Sequence, residues 1–328
     1  APFNIFDLDN RTALYTLGGV QYIVKDPEAK ENVPWGYEMV YEQEIEIEGK
    51  NRTVQVYRNS NALPLMYAYS NYLLREDYDK LEPYEKEQAM MQGIVLEDQE
   101  DIGDSEIQPI ELKLDSRVVL EKDEILAQIQ EQLEQRMQEG NRSQSPLEIT
   151  ENGFICKASK VTLTITLPEE YIGCENYLYL EGLRYSPKGY INYKDYLLGE
   201  NPSKYKINTF RYNARKDMEN SSLSAKIITT LGKNQKTVLI WGEGSQYDTG
   251  RRDIVSNMGY HGKTGKTFQL RLEGRGEYTF SDIRVVVQPM DSYGANYVKL
   301  QECKATDMQI TGNYVQGSLV TMNDRMLC

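Results

Sequence analysis

The sequence predicts a mainly β protein with α+β character: a β-sandwich of jelly-roll-like type joined to a small α+β unit. Three observations carry this expectation. Beyond residue 150, short runs of alternating or β-branched residues recur with Gly-, Asn- and Lys-rich turns between them, as sandwich strands do. Within the first hundred residues the apolar period switches between 2 and 3.6, which suits strands lying beside short helices. Charge also changes sign along the 328 residues: 31 acids against 14 bases in residues 1–150, then 19 against 23 in residues 151–328, within a total of −13. Such asymmetry marks units with different surroundings. The expected divisions are an α+β unit over 1–100, a linker region with one amphipathic helix over 101–150, the sandwich over 151–290, and C-terminal strands over 291–328 whose route could lead back to the first unit.

Taken in order, Asp9 suits a helix cap before Arg11 to Leu17, and Val20 to Val24 follow as a strand. Pro27 to Pro34 is a polar loop. Tyr37 to Glu48 and Thr53 to Tyr57 alternate as a hairpin closed at Gly49-Lys50-Asn51. An Asn-Ser-Asn turn leads into Asn61 to Tyr69, too apolar for a surface loop, where Pro64 places the strand at a sheet edge or bulge. The Asn61 side chain is expected to bond backbone in that turn. Pro83 opens a short helix through Gln92 that packs Met91 with either Ala89 or Gln88 inward; Gly93 ends it, and Ile94 to Leu96 leave as a strand.

Glu97 to Glu106 is an acidic connector. Its Asp98, Asp101 and Asp104 lack the glycine and the distal glutamate of a calcium loop, and no metal is assigned there. Ile107 to Val119 alternates as strands. Lys122 to Glu139 is the one long helix, with Ile125, Ile129, Leu133 and Met137 on one face. Asn141 to Pro146 connects it to the β-rich half. Strands are expected there at Gly153 to Lys157, Val161 to Leu167, Tyr177 to Leu183, Ser224 to Leu231, Thr237 to Trp241, Thr267 to Leu272, Tyr278 to Gln288, Tyr297 to Cys303 and Thr311 to Thr321.

A pI near 4.8 argues against nucleic acid as a partner, because a phosphate-binding surface needs clustered Lys and Arg. No apolar run approaches the roughly 20 residues that cross a bilayer. The acidic half does not suit docking onto anionic lipid headgroups, whereas the slightly basic half could face a polyanionic polymer. The four cysteines, Cys156, Cys174, Cys303 and Cys328, allow three pairings; a Cys156–Cys174 bridge and free buried thiols both fit their spacing.

No assignable catalytic constellation is found. His261, the single histidine, has no second imidazole for zinc and no G-x-S-x-G serine to serve. The Gly242 and Gly274 turns open no helix and so form no phosphate cradle. A carboxylate pair for glycoside hydrolysis cannot be picked from 50 acids by sequence. Tyrosine is abundant, 25 residues, nine of them between Tyr171 and Tyr212. Tyr185, Tyr190, Tyr193 and Tyr196 lie in a Gly/Pro/Asn-punctuated loop and are the candidate ligand-binding residues, because aromatic planes stack on sugar rings. Core packing on strand faces competes with that use, as for Tyr177 and Tyr179.

One stretch is familiar as wording. The run from Asn61 through Ala62, Leu63, Pro64 and Leu65, followed by Glu85, Gln88, Gln92, Val95, Leu96 and Glu97, resembles the bacterial YfhO-like membrane proteins. LGGVQYIV (Leu17 to Val24) and YTFSDIRVVVQPMDSY (Tyr278 to Tyr293) extend the resemblance over most of the chain. It implies an extracytoplasmic domain of a polytopic protein, excised from helices before Ala1 and beyond Cys328, at the outer face of a bacterial cell membrane. It further implies glycosylation of a cell-surface polymer of lipoteichoic acid type from a polyprenyl-phosphate sugar. The implied partners are therefore the protein's own transmembrane region, the glycopolymer and the lipid-linked sugar. In that architecture the catalytic acid lies outside this chain, so no catalytic residue and no cofactor are assigned. The rival reading is a secreted carbohydrate-binding β-sandwich protein.

Overall fold

The computed structural model describes residues 11–28, 33–64, 67–102, 107–140, 145–187, 224–242, 248, 250–260, 266–301, 305–311, 314–319 and 326–327. Strands make up 49% of the structure and helices 20%, so β-structure carries the fold.

Helix α1 (Thr12–Leu17) opens the first unit. At Gly19, φ is 65°, and a Cβ would meet the Leu63 carbonyl oxygen at 2.8 Å, so glycine is what lets the residue-63 segment close onto the helix end. Strands β1 (Tyr22–Lys25), β2 (Tyr37–Ile47) and β3 (Lys50–Asn59) form an antiparallel sheet in the order β1-β3-β2. The hairpin turn is Glu48-Gly49, with φ of 52° and 72°, rather than residues 49–51. Two left-handed residues match the twist of the flanking strands. The shift matters because register decides which side chains share a face.

Among the described residues of the apolar stretch after the hairpin, Leu63 and Tyr67 to Tyr69 are buried as expected, though mostly not as strand. Leu63 is 1% exposed, and its N–H donates to the Thr16 carbonyl at 3.0 Å. Only β4 (Ala68–Tyr69) is regular. The turn is held by Asn59 instead of Asn61: Asn59 Oδ1 accepts the Asn61 N–H at 2.9 Å. Leu65 lies outside the described residues.

Strand β5 (Asn71–Leu74) leads through α2 (Arg75–Asp79) and α3 (Glu85–Met90) to β6 (Ile94–Leu96), then β7 (Gln108–Pro109). Strand β5 pairs in parallel with both β6 and β7, a small sheet the periodicity did not reveal. Tyr84, Gln88, Ala89 and Met91 around α3 are buried. Gln92 clamps Lys113, accepting its N–H at 3.0 Å and donating to its carbonyl at 2.9 Å, while Gln88 accepts the Asp115 N–H at 2.9 Å.

The β-rich part begins with β8 (Arg117–Leu120) and α4 (Lys122–Gly140). It continues with β9 (Leu147–Thr150), β10 (Gly153–Cys156), β11 (Lys160–Thr166), β12 (Cys174–Glu181) and β13 (Arg184–Pro187). After residues 188–223 come β14 (Ser224–Leu231), β15 (Asn234–Trp241), β16 (Ile254–Tyr260), β17 (Thr267–Glu273), β18 (Gly276–Thr279) and β19 (Asp282–Pro289). Three antiparallel four-stranded sheets result, β16-β12-β19-β8, β11-β17-β14-β15 and β13-β18-β10-β9, all contributing to one hydrophobic core.

Helix α4 belongs to that core through Ile125, Ile129 and Leu133; Met137, expected on the same face, is 40% exposed. Its neighbouring stripe covers the edge of β11. Gln128 exchanges hydrogen bonds with the Thr166 N–H (2.7 Å) and carbonyl (3.0 Å). Gln132 does the same at Thr164, and Arg136 donates to the Thr162 carbonyl at 2.9 Å. Side chains at i, i+4 and i+8 thus stand in for a missing strand and protect an edge open to foreign pairing.

Residues Tyr297 to Cys303, expected as a strand, instead fall largely within α5 (Asp291–Gln301). Tyr293, Tyr297 and Leu300 recur at helical spacing, and that period outweighs the β-propensity of Tyr and Val. These residues join Ala13, Leu63, Tyr67, Tyr69 and Met91 in a second core. Beyond them, β20 (Ala305–Thr311) pairs with β21 (Tyr314–Leu319), and β22 (Met326–Leu327) pairs with β4, so the chain's last strand lies on the first unit.

Two stability outcomes follow. Leu63→Ala removes a fully buried side chain between α1 and α5 and should lower stability by about 2–5 kcal/mol in a urea melt. Replacing both Gln128 and Gln132 by alanine deletes four edge hydrogen bonds and should cost about 2–4 kcal/mol, with aggregation at lower protein concentration than the parent.

Candidate functional site

Strand β12 has both faces covered. Leu178 and Leu180 enter the sandwich core, while Glu175, Tyr177 and Tyr179 point the other way, into the first unit. Alternation along a strand requires this split. Tyr84 from the start of α3 meets Tyr179 edge-on with ring centroids 5.9 Å apart. Arg284 on β19 lies over the same tyrosine at 5.0 Å and pairs with Glu82 (3.3 Å) and Glu181 (3.0 Å), tying the two parts together.

At the centre of this seam lies Glu175, 0% exposed. Thr12 Oγ1 donates to its Oε1, Tyr177 Oη donates to its Oε2 at 2.6 Å, and the Asn257 side chain bonds it as well. Thr12 in turn accepts the Trp35 N–H at 3.3 Å. A second buried carboxylate, Glu87 on α3, receives Arg11 Nε. Gln288 and Tyr293, both almost fully buried, complete the surroundings. Burial pushes the Glu175 carboxyl up to about 7; the Thr12, Tyr177 and Asn257 hydrogen bonds oppose the shift, and the charge of Glu87 adds to it. Burial, together with these two acids, also holds the Tyr177 and Tyr293 phenols well above their usual range.

A carboxyl titrating near neutrality is able to exchange a proton, and such groups cluster at functional sites. Here its oxygens are occupied by side-chain donors and none of its surface is open to a substrate. What the arrangement does chemically is couple the packing of α1 and α3 on the sheet to one proton.

The open concavity lies elsewhere. A groove of about 250 Å³ runs between the β4–β5 segment, the end of α3, the 110–113 segment and α5. Its floor includes Tyr69, Met91 and Leu300; Asn71, Gln92, Asn296, Glu111 and the lysines Lys113 and Lys299 line it. The Gln92 clamp on the Lys113 backbone fixes the segment that carries one of those lysines.

Of the four tyrosines singled out from sequence, Tyr185 alone lies among the described residues. Tyr185 is 1% exposed on β13, packs its ring on Tyr278 with centroids 4.9 Å apart, and donates its hydroxyl to the Arg275 carbonyl at 2.9 Å. No ring face is left for a sugar, so this residue is a core residue. Tyr190, Tyr193 and Tyr196, like His261, Cys303 and Cys328, fall outside the described residues. Cys156 and Cys174 are free buried thiols; burial pushes Cys156 up to about 12. Among the described residues no group of three or more His, Cys, Asp or Glu is placed to hold a metal.

Comparison with known families settles the membership. A family model described as "Bacterial membrane protein YfhO" matches residues 2–328. The chain belongs to the YfhO family. No curated protein and no solved structure matches it. No helix among the described residues is long and apolar enough to cross a membrane. In this YfhO-family chain, Gln88 and Gln92, two of the residues that carried the resemblance, act as straps for the 113–115 segment. Leu63 from the same motif fills the core under α5. Sequence reasoning missed Glu175 because two of its three partners are far away in the chain: Thr12 is 163 residues distant and Asn257 lies on β16.

The pH dependence follows from the sign of the shift. Folding raises the Glu175 pKa from 4.5 to about 7, so the folded state holds the proton more tightly than the unfolded one. Its contribution is fully present below about pH 4.5 and is lost as pH rises through about 7, amounting to as much as about 3 kcal/mol. Glu175→Gln keeps the shape without the charge. Urea melts should show it matching the parent near pH 5 and exceeding it at pH 8; equal pH profiles for both proteins would refute the assignment.

Proposed function

We propose that this chain is the extracytoplasmic domain of a YfhO membrane protein and that it holds a polyanionic cell-surface polymer, of lipoteichoic acid type, while a sugar is transferred to it from a polyprenyl-phosphate carrier. The catalytic groups are assigned to other parts of the full protein, and this domain positions the acceptor. The observation that carries the reading is the groove. Amides at Asn71 and Asn296 suit hydroxyl groups, and Lys113 and Lys299 suit phosphates spaced along a chain. An apolar floor under a rim of polar groups is the usual construction of such a site. The family match supplies the membrane setting.

Titration calorimetry with a defined glycerol-phosphate oligomer tests this directly. The wild-type chain should bind it with an affinity that falls as salt rises. Changing Lys113 and Lys299 together to alanine should weaken binding by tenfold or more, since each charge-assisted contact contributes about 1.5–3 kcal/mol. Both lysines are exposed, so the fold should be retained. A wild-type chain that ignores the oligomer, or a double variant that binds it unchanged, would remove the groove from the mechanism.

A further inference from the structure

Of the eleven conspicuously exposed large apolar side chains among the described residues, seven lie on the single β1-β3-β2 sheet: Tyr22, Val24, Met39, Val40, Tyr41, Ile45 and Ile47. Every residue of β2 after Tyr37 is exposed. The sheet is anchored at its base, where the Tyr37 hydroxyl donates to the Val20 carbonyl at 2.6 Å, Tyr37 meets Tyr15 edge-on and Asn59 is buried. From there the ten residues of β3 reach outward, roughly 33 Å at the usual rise.

The pairing register sorts this sheet into two unlike faces. Val24 pairs with Val56, Val56 with Tyr41, Val54 with Gln43, Arg52 with Ile45, Lys50 with Ile47 and Arg58 with Tyr22. One face therefore presents Tyr22, Val24, Tyr41, Ile45, Ile47, Val54 and Val56, with Lys50, Arg52 and Arg58 against the single acid Glu38. The opposite face carries Glu42, Glu44 and Glu46 together with Ile23, Met39 and Tyr57, with Glu42 bonded to Gln55 at 2.5 Å and Lys25 the one cation; Val40 sits at the β2 bulge between the faces.

We infer that the apolar, cationic face of this sheet docks onto a membrane surface rich in anionic headgroups. Apolar side chains bury at the headgroup–acyl boundary, Tyr22 and Tyr41 suit that boundary, and Lys50, Arg52 and Arg58 meet the phosphates. The glutamate face is left toward water. An uncovered apolar face of this extent marks an interaction site, and the family is one of membrane proteins. A second copy of the chain fits worse: two-fold pairing of β2 edges would set Glu42, Glu44 and Glu46 against the same residues of the copy, like charge opposite like charge. The acidic total of residues 1–150 had argued against anionic lipid, but that total does not record which side of the sheet each charge occupies.

Vesicle co-sedimentation of the whole 328-residue chain tests the inference. With vesicles of phosphatidylglycerol and phosphatidylcholine the chain should sediment, with at least tenfold weaker binding to phosphatidylcholine alone and weakening as salt rises. Replacing Val24, Ile45 and Ile47 by serine should lower binding at least tenfold without moving the thermal melt, because these side chains are exposed. Lys50→Glu with Arg52→Glu should abolish the anionic preference, whereas Glu44→Gln on the other face should leave or improve it. Changes at Lys113 and Lys299 in the groove should leave vesicle binding intact, which separates this surface from the polymer site. Failure to bind either vesicle would overturn the inference. So would equal loss from changes on both faces, or a concentration-dependent dimer that the serine variant dissolves.

Discussion

The structure depends on β12 being covered on both faces. A strand whose alternate residues enter two different cores cannot be left by either without exposing the other face, so the sandwich and the first unit share one element. Leu178 and Leu180 serve the sandwich; Tyr177 and Tyr179 serve the seam against α3. The seam is polar at its middle, and this makes it conditional. Burying Glu175 and Glu87 together is unfavourable unless hydrogen bonds and a proton compensate, which Thr12, Tyr177, Asn257 and Arg11 help to provide. An apolar seam would hold more simply. This one responds to pH near neutrality.

The fold class was legible because β-sandwiches announce themselves through turn chemistry, and strands such as Ser224–Leu231 emerged with the expected bounds. Helix α4 was legible from its Ile125, Ile129 and Leu133 stripe. The adjacent Gln128, Gln132 and Arg136 stripe was equally visible but meaningless until an open strand edge lay opposite it. Helix α5 was misread because Tyr and Val suggested a strand while the spacing of Tyr293, Tyr297 and Leu300 was helical. Tyr185 was misread in a different way: Gly182 and Pro187 made its surroundings resemble a loop, yet the short strand β13 puts its ring into the core.

The candidate sites were less legible than the fold, for a physical reason. Both are assembled from segments distant in sequence: Asn71, Lys113 and Lys299 meet at the groove, and Thr12, Glu87, Glu175 and Gln288 meet at the seam. The sheet face is local, but a turn placed one residue off changes which side chains lie together, and net charge averages over both faces. The YfhO resemblance was carried by residues that turn out to be structural: Leu63 in the core and Gln88 and Gln92 as straps. Motif and site overlap at Gln92 alone, which lines the groove and holds the Lys113 segment beside it.

The most direct test of the shared strand uses the protein's two tryptophans, Trp35 against the first core and Trp241 on β15 of the sandwich. Trp241→Phe leaves the first unit to report its own unfolding, and Trp35→Phe leaves the sandwich. If β12 joins both cores into one cooperative body, urea transitions followed by fluorescence in the two variants, and by circular dichroism in each, will coincide at one midpoint. Two separated transitions, with the Trp35 signal lost while the sandwich remains folded, would contradict the account.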